Sequence, residues 1–143
     1  MKNQDAFLVE ALKAAHTAAD GASEILSKYF GNLAQVKEKF QAGLVSEADQ
    51  ASEKFIVETL KKSFPHHHFW GEESGLSSSP DETLKDRNDQ TFWIIDPLDG
   101  TTNYIHQFPF FCISIGLEVN REIVLGLVDA PMLNMRFWAT KGG

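Results

Sequence analysis

The stretch from Trp93 to Asn103 constrains this chain more than any other. Its apolar run, Trp93-Ile94-Ile95, ends abruptly in Asp96-Pro97-Leu98-Asp99-Gly100-Thr101-Thr102-Asn103. The aromatic and β-branched residues over 92–95 favour a buried strand, whereas Pro97 cannot donate to a ladder and Gly100 lets the backbone approach a neighbour closely. A strand therefore delivers two carboxylates to its own tip. Two readings of that tip stand side by side. Asp-Pro and Asp-Gly are turn formers, which makes the segment a connection between strands. Alternatively, Asp96 and Asp99 offer oxygen ligands suited to Mg²⁺, and the amides after Gly100 face an anion if a helical turn starts there.

Composition narrows the surroundings. With 143 residues, 43% hydrophobic and 23% charged, the chain holds enough apolar material for one core. The net charge of -7, from 20 acidic and 13 basic residues without a basic cluster, argues against nucleic acid as a partner. The start Met1-Lys2-Asn3-Gln4-Asp5 lacks the build of a signal peptide, and no segment has the length of a bilayer span. Cys112 is the one cysteine and lies in an apolar run, so a buried free thiol in a reducing compartment is expected. These features fit a cytoplasmic protein with no membrane partner.

Periodicity predicts the elements. Leu8, Ala11, Leu12, Ala15, Ala18, Ala19, Ala22, Ile25 and Leu26 recur at helical spacing over residues 5–30, with Gly21 as a weak point and Gly31-Asn32 as the stop. A short strand over 36–40, carrying Lys37 and Lys39, leads to a turn at Gln41-Ala42-Gly43. Ser46 followed by Asp49 matches a capping box, and Ala48, Phe55, Ile56 and Leu60 continue a second helix over 47–63, closed by Pro65. As a first-turn acid favoured by the helix dipole, Asp49 needs no further role. His66-His67-His68 reads as a surface turn rather than a metal site, since three consecutive residues do not readily point one way. After Phe69-Trp70, Gly71-Glu72-Glu73-Ser74-Gly75 puts two more carboxylates at a strand end, and 76–90 forms a polar loop. Strands over 111–118, 123–128 and 135–140, with a turn at Asn120-Arg121, complete a layered α+β fold: two N-terminal helices on a mainly antiparallel sheet.

Gly71-Glu72-Glu73-Ser74, then Asp96 to Asn103, then Phe108-Pro109-Phe110, preceded by Leu44 to Gln50, resemble the inositol monophosphatase family of metal-dependent phosphomonoesterases. The resemblance implies that Glu72, Asp96 and the backbone carbonyl of Leu98 bind one Mg²⁺, and that Asp96 and Asp99 share a second. It implies that Glu72 acts in catalysis through that metal, that Asp49 and Thr101 orient a water and accept its proton, and that Gly100, Thr101 and Thr102 bind the phosphate. Lys39 is similar to a residue reaching the same site. Glu73 sits behind it, and His106 matches a family position in a loop role. Thr102, where nucleotide-bisphosphate phosphatases often carry lysine, points to inositol 1-phosphate or a related sugar phosphate. Lithium sensitivity and a homodimer when full length are further family traits.

The family's later Trp-Asp signature is missing, so residues 1–143 are expected to be the N-terminal part of such a domain, with the C-terminal part absent. The alternative to an enzyme is a catalytically incompetent fragment that binds metal weakly or associates with a partner chain.

Overall fold

Alanine spacing sets the first element. The computed structural model describes residues 2–39, 43–77 and 90–143; in it a 28-residue helix, α1 (Lys2–Tyr29), buries Ala11, Ala15, Ala18, Ala22 and Leu26 completely. It stops before Gly31, which takes φ +76°. Strands β1 (Val36–Lys39) and β2 (Gly43–Ser46) pair antiparallel with Val36 opposite Ser46. Residues 40–42, the end of the expected strand and the first two residues of the expected turn, lie outside the described residues, and Gly43 belongs to β2 instead. That strand is an addition to the sequence reading, because four residues running straight into a helix carry too little alternation to detect.

Helix α2 (Glu47–Ser63) begins at the expected capping box, where the Ser46 backbone N–H donates to the Asp49 carboxylate at 2.8 Å. It lies against α1 with Phe55 seated on Gly21. A Cβ at that glycine would stand 2.0 Å from the Phe55 ring, so Gly21 is a packing notch and not merely a soft spot in the helix. Gly21→Ala is expected to destabilise the protein by about 1–2 kcal/mol, overpacking outweighing the gain of up to about 1 kcal/mol in helix propensity. Urea melts read the effect, and Phe55→Leu in the same chain should recover most of it. A more stable Gly21→Ala protein would show that the notch has no packing role.

The large sheet runs in the order β4-β3-β5-β6-β7-β8, with β3 (His68–Gly71), β4 (Gly75–Ser77), β5 (Thr91–Asp99), β6 (Cys112–Val119), β7 (Glu122–Ala130) and β8 (Met135–Thr140). Its pairs are antiparallel except β3 with β5, which makes the fold α+β with helices on a mainly antiparallel sheet. Trp93, Ile95, Ile113, Ile115, Leu117 and Leu127 point toward the helices, forming the core with the alanine face of α1. Asn120 and Arg121, both at positive φ (52° and 65°), make the tight β6–β7 turn.

Three expectations change. The Thr91–Asp99 strand does not end at Pro97. Its ladder slips between Asp96 and Asp99 and resumes with Asp99 opposite Cys112, so the proline occupies an irregularity where no ladder bond is required. The histidine run is only partly a surface turn. His66 is exposed, but His67 stacks on Phe64 with ring centroids 4.7 Å apart and accepts the Trp93 indole N–H at 3.0 Å, while His68 opens β3, buried against Phe92. Burial, with the neighbouring histidines, holds His67 down at about 4. Finally, Leu76 and Ser77 form β4, and residues 78–89 of the expected loop lie outside the described residues.

The sheet face turned away from the helices has a different character. Phe110 and Phe137 are 61% and 58% exposed, and together with Val128, Leu133 and Met135 they line a cavity of about 420 Å³ that reaches Asp99. No helix among the described residues is long and apolar enough to cross a membrane.

Candidate active site

Helix α2 organises the site because its buried face carries polar groups as well as apolar ones: Asp49, Ser52 and Glu53 are at most 3% exposed. Each grips a different segment. Asp49 accepts the Thr101 hydroxyl at 2.8 Å, Ser52 donates to the Pro97 carbonyl at 2.8 Å, and Glu53 accepts the backbone N–H groups of Glu73 at 2.7 Å and Ser74 at 2.9 Å. The tip of β5 and the turn after β3 are thereby tied to one helix. Parallel pairing sets Gly71 beside Ile95, and the Glu72 N–H donates to the Ile95 carbonyl at 3.1 Å, so the two acid-bearing strand ends emerge together.

At that junction a cavity of about 260 Å³ is lined by Leu44, Glu72, Asp96, Leu98, Asp99, Gly100, Thr101, Thr102 and Asn103. The structure thus brings together every residue singled out for metal or phosphate, and Asp49 stands directly behind Thr101. The chain turns into α3 (Thr101–Ile105) through Gly100 at φ +93°, where a Cβ would meet the Phe110 carbonyl at 3.2 Å. The conformation demands glycine, and the space beside it is tight. This short helix includes residues 104 and 105, and the buried Tyr104 anchors it by donating to the Leu26 carbonyl at 2.5 Å. The first amides of such a helix have no intrahelical acceptor.

Acidic groups crowd the cavity. Burial raises the Asp96 carboxyl to about 7; a hydrogen bond with Glu72 and the charges of Glu72 and Asp99 add to the rise, and the Leu98 amide opposes it. Among the described residues that line the cavity, none is basic. Among the described residues no three acidic, imidazole or thiol groups are gathered around one point. The carboxylates of the cavity wall meet as pairs, Asp96 with Glu72 and Asp96 with Asp99, and the Leu98 backbone lies beside them. The donors are all oxygen, as Mg²⁺ requires.

Other candidates fall into lesser places. Glu73 contributes its backbone to the Glu53 clasp, and His106 caps α3 with Nδ1 2.9 Å from the Thr102 carbonyl. The Lys39 side chain lies outside the described residues. Cys112 is half-buried rather than buried, since it faces away from the helices with its thiol 3.8 Å from Asp99; burial and the Asp99 and Asp96 charges push it up to about 11. Sequence reading missed Ser52 and Glu53. Glu53 stands four residues after Asp49, and a second acid on the inward stripe of an amphipathic helix is a signal that could have found it.

The sequence profile of the inositol monophosphatase family matches residues 8–143. The chain belongs to the inositol monophosphatase family. An inositol monophosphatase of Dictyostelium discoideum is 44% identical over 119 residues, covering 83% of this chain and 42% of that protein. The extragenic suppressor protein suhB of Bartonella henselae superposes with a TM-score of 0.82 at 38% identity, over 92% of this chain and 48% of its own. An inositol monophosphatase II of Staphylococcus aureus, solved with inositol monophosphate bound, gives a TM-score of 0.71 at 26% identity over 93% of this chain and 45% of its own. The chain spans about half the length of the relatives it matches.

Proposed function

We propose that the protein containing these residues hydrolyses a phosphate monoester, inositol 1-phosphate or a related sugar phosphate, with Mg²⁺ as cofactor, and that residues 1–143 are the N-terminal part of its catalytic domain. The observation carrying this reading is the Thr101–Asp49 hydrogen bond of 2.8 Å at the wall of a cavity ringed by Glu72, Asp96 and Asp99. Glu72, Asp96 and the Leu98 carbonyl would hold one Mg²⁺, and Asp96 with Asp99 a second. When bound, Mg²⁺ supplies positive charge that makes water more acidic and offsets charge on the phosphate and leaving oxygens. The Thr101 hydroxyl, 2.8 Å from Asp49 and 3.1 Å from the Leu98 carbonyl, would pass its proton to Asp49 as its oxygen takes one from a water. Asp49 would be the final acceptor. The Gly100 and Thr101 amides, with Thr102, would hold the phosphate oxygens so that water attacks in line. The inositol monophosphate bound to the S. aureus relative supports the substrate class.

The family resemblance further supports a homodimer that is inhibited by lithium, and the single cysteine fits a cytoplasmic setting. The full-length protein is expected to release phosphate from inositol 1-phosphate in the presence of Mg²⁺. Failure to release it from that compound and from every sugar monophosphate tried would end the proposal.

The exposed apolar face around Phe110 and Phe137 favours a second reading for the 143 residues by themselves, as a unit that binds metal weakly without turnover and associates with a partner chain. Calorimetric Mg²⁺ titration of this chain beside a turnover assay tests the second reading: binding without turnover supports it, and turnover by the 143 residues themselves overturns it.

A further inference from the structure

We propose that Glu53 is a positioning residue for the metal site: by clasping the Glu72 turn from α2 it sets how tightly the metal is held. The inference rests on the assignment of Glu72 as a ligand in the proposed function. Glu53 is a carboxylate only 3% exposed, and both of its oxygens are used, Oε2 by the Glu73 N–H at 2.7 Å and Oε1 by the Ser74 N–H at 2.9 Å. These are the two residues that follow Glu72. On the other side of Glu72, a Cβ on Gly71 would lie 2.4–2.6 Å from the Glu53 carboxyl atoms, so the glycine is the space the carboxylate occupies. Glu53 thus bounds the turn from Gly71 to Ser74, and Glu72 is the residue in that turn that reaches the cavity.

A buried carboxylate is costly unless its hydrogen bonds are complete, and charge-assisted bonds to backbone amides are strong enough to fix a turn. A ligand held by such a turn arrives already oriented; without the clasp, metal binding must order it. Groups that orient metal ligands typically contribute about 10–100-fold in metal affinity. Glu53→Gln keeps the shape but turns an amide NH₂ toward one of the two N–H donors, while Glu53→Asp keeps the charge on a stem one carbon shorter.

The test uses the full-length protein with Mn²⁺ as the calorimetric probe, alongside phosphate release at rising Mg²⁺. Glu53→Gln is expected to weaken Mn²⁺ binding by about 10–100-fold and to raise the Mg²⁺ requirement in parallel, with turnover at saturating Mg²⁺ near wild type and Glu53→Asp intermediate. Unchanged Mn²⁺ affinity in either folded variant, or turnover that excess Mg²⁺ fails to restore, overturns the inference. Should Glu53→Gln fail to fold, Glu53→Asp carries the same criterion. If wild type itself neither binds Mn²⁺ nor releases phosphate, the proposed function fails instead, so the two failures are distinguishable.

Discussion

Asp96→Asn is expected to abolish turnover and, in the metal-free protein, to raise the melting temperature. The same crowding produces both effects. The Asp96 carboxyl, raised from 3.8 to about 7 by burial and by Glu72 and Asp99, is held in its charged form at a cost. For an acid raised in the folded state, the native protein binds more protons than the unfolded chain between the two values, so stability falls as pH rises from 3.8 to about 7. Asparagine removes that fall. Because the group is half solvated, the gain near pH 8 is about 1–2 kcal/mol, well below the full equivalent of the shift. This corresponds to roughly 3–8 °C in Tm for a domain of this size.

The ligand removed is also the one that both ions would share, so turnover should drop by about three orders of magnitude or more, the equivalent of several kcal/mol of lost charge stabilisation. Adding Mg²⁺ should stabilise the wild-type protein and leave the variant unchanged. Wild-type Mg²⁺ affinity should decline as pH falls below about 7, where protons compete for the Asp96 carboxylate. Calorimetric melts with and without EDTA read each effect. A variant that melts lower without metal, or one that still gains stability from Mg²⁺, would remove Asp96 from the metal site.

What the sequence made legible is what neighbouring residues decide among themselves. The capping box at Ser46 and Asp49 fixed the start of α2, helical and alternating periods fixed α1 and the later strands, and Gly100 announced a sharp turn whose φ of +93° the structure displays. The acid-bearing strand tips at Glu72 and Asp96 were readable because apolar runs end in them. Long-range partnerships were not. Phe55 meets Gly21 across 34 positions, His67 meets Trp93, and Glu53 meets the turn twenty residues later; each depends on how two elements cross, which periodicity within one element does not encode. The parallel pairing of β3 with β5 is of the same kind, and it is that pairing which sets Glu72 beside Asp96.

A proton relay through Thr101 to Asp49 has a signature that separate contributions lack. Thr101→Val removes the hydroxyl at nearly constant volume, and Asp49→Asn keeps an oxygen for the Ser46 N–H, now 2.8 Å from Asp49, so both variants should fold with losses of about 1 kcal/mol. Each should lower turnover by about 10²–10⁴-fold, the usual worth of positioned proton transfer. If the hydroxyl only passes a proton to the carboxylate, removing both costs no more than the worse single change, because parts of one unit are strongly non-additive. Thr101→Ser, which restores the hydroxyl on a slimmer side chain, should stay within about tenfold of wild type. Turnover assays on the four variants decide the matter. Losses that multiply in the double variant would mean that Asp49 merely closes the N-terminus of α2, the role its place in the capping box already provides, while Thr101 acts on the phosphate alone.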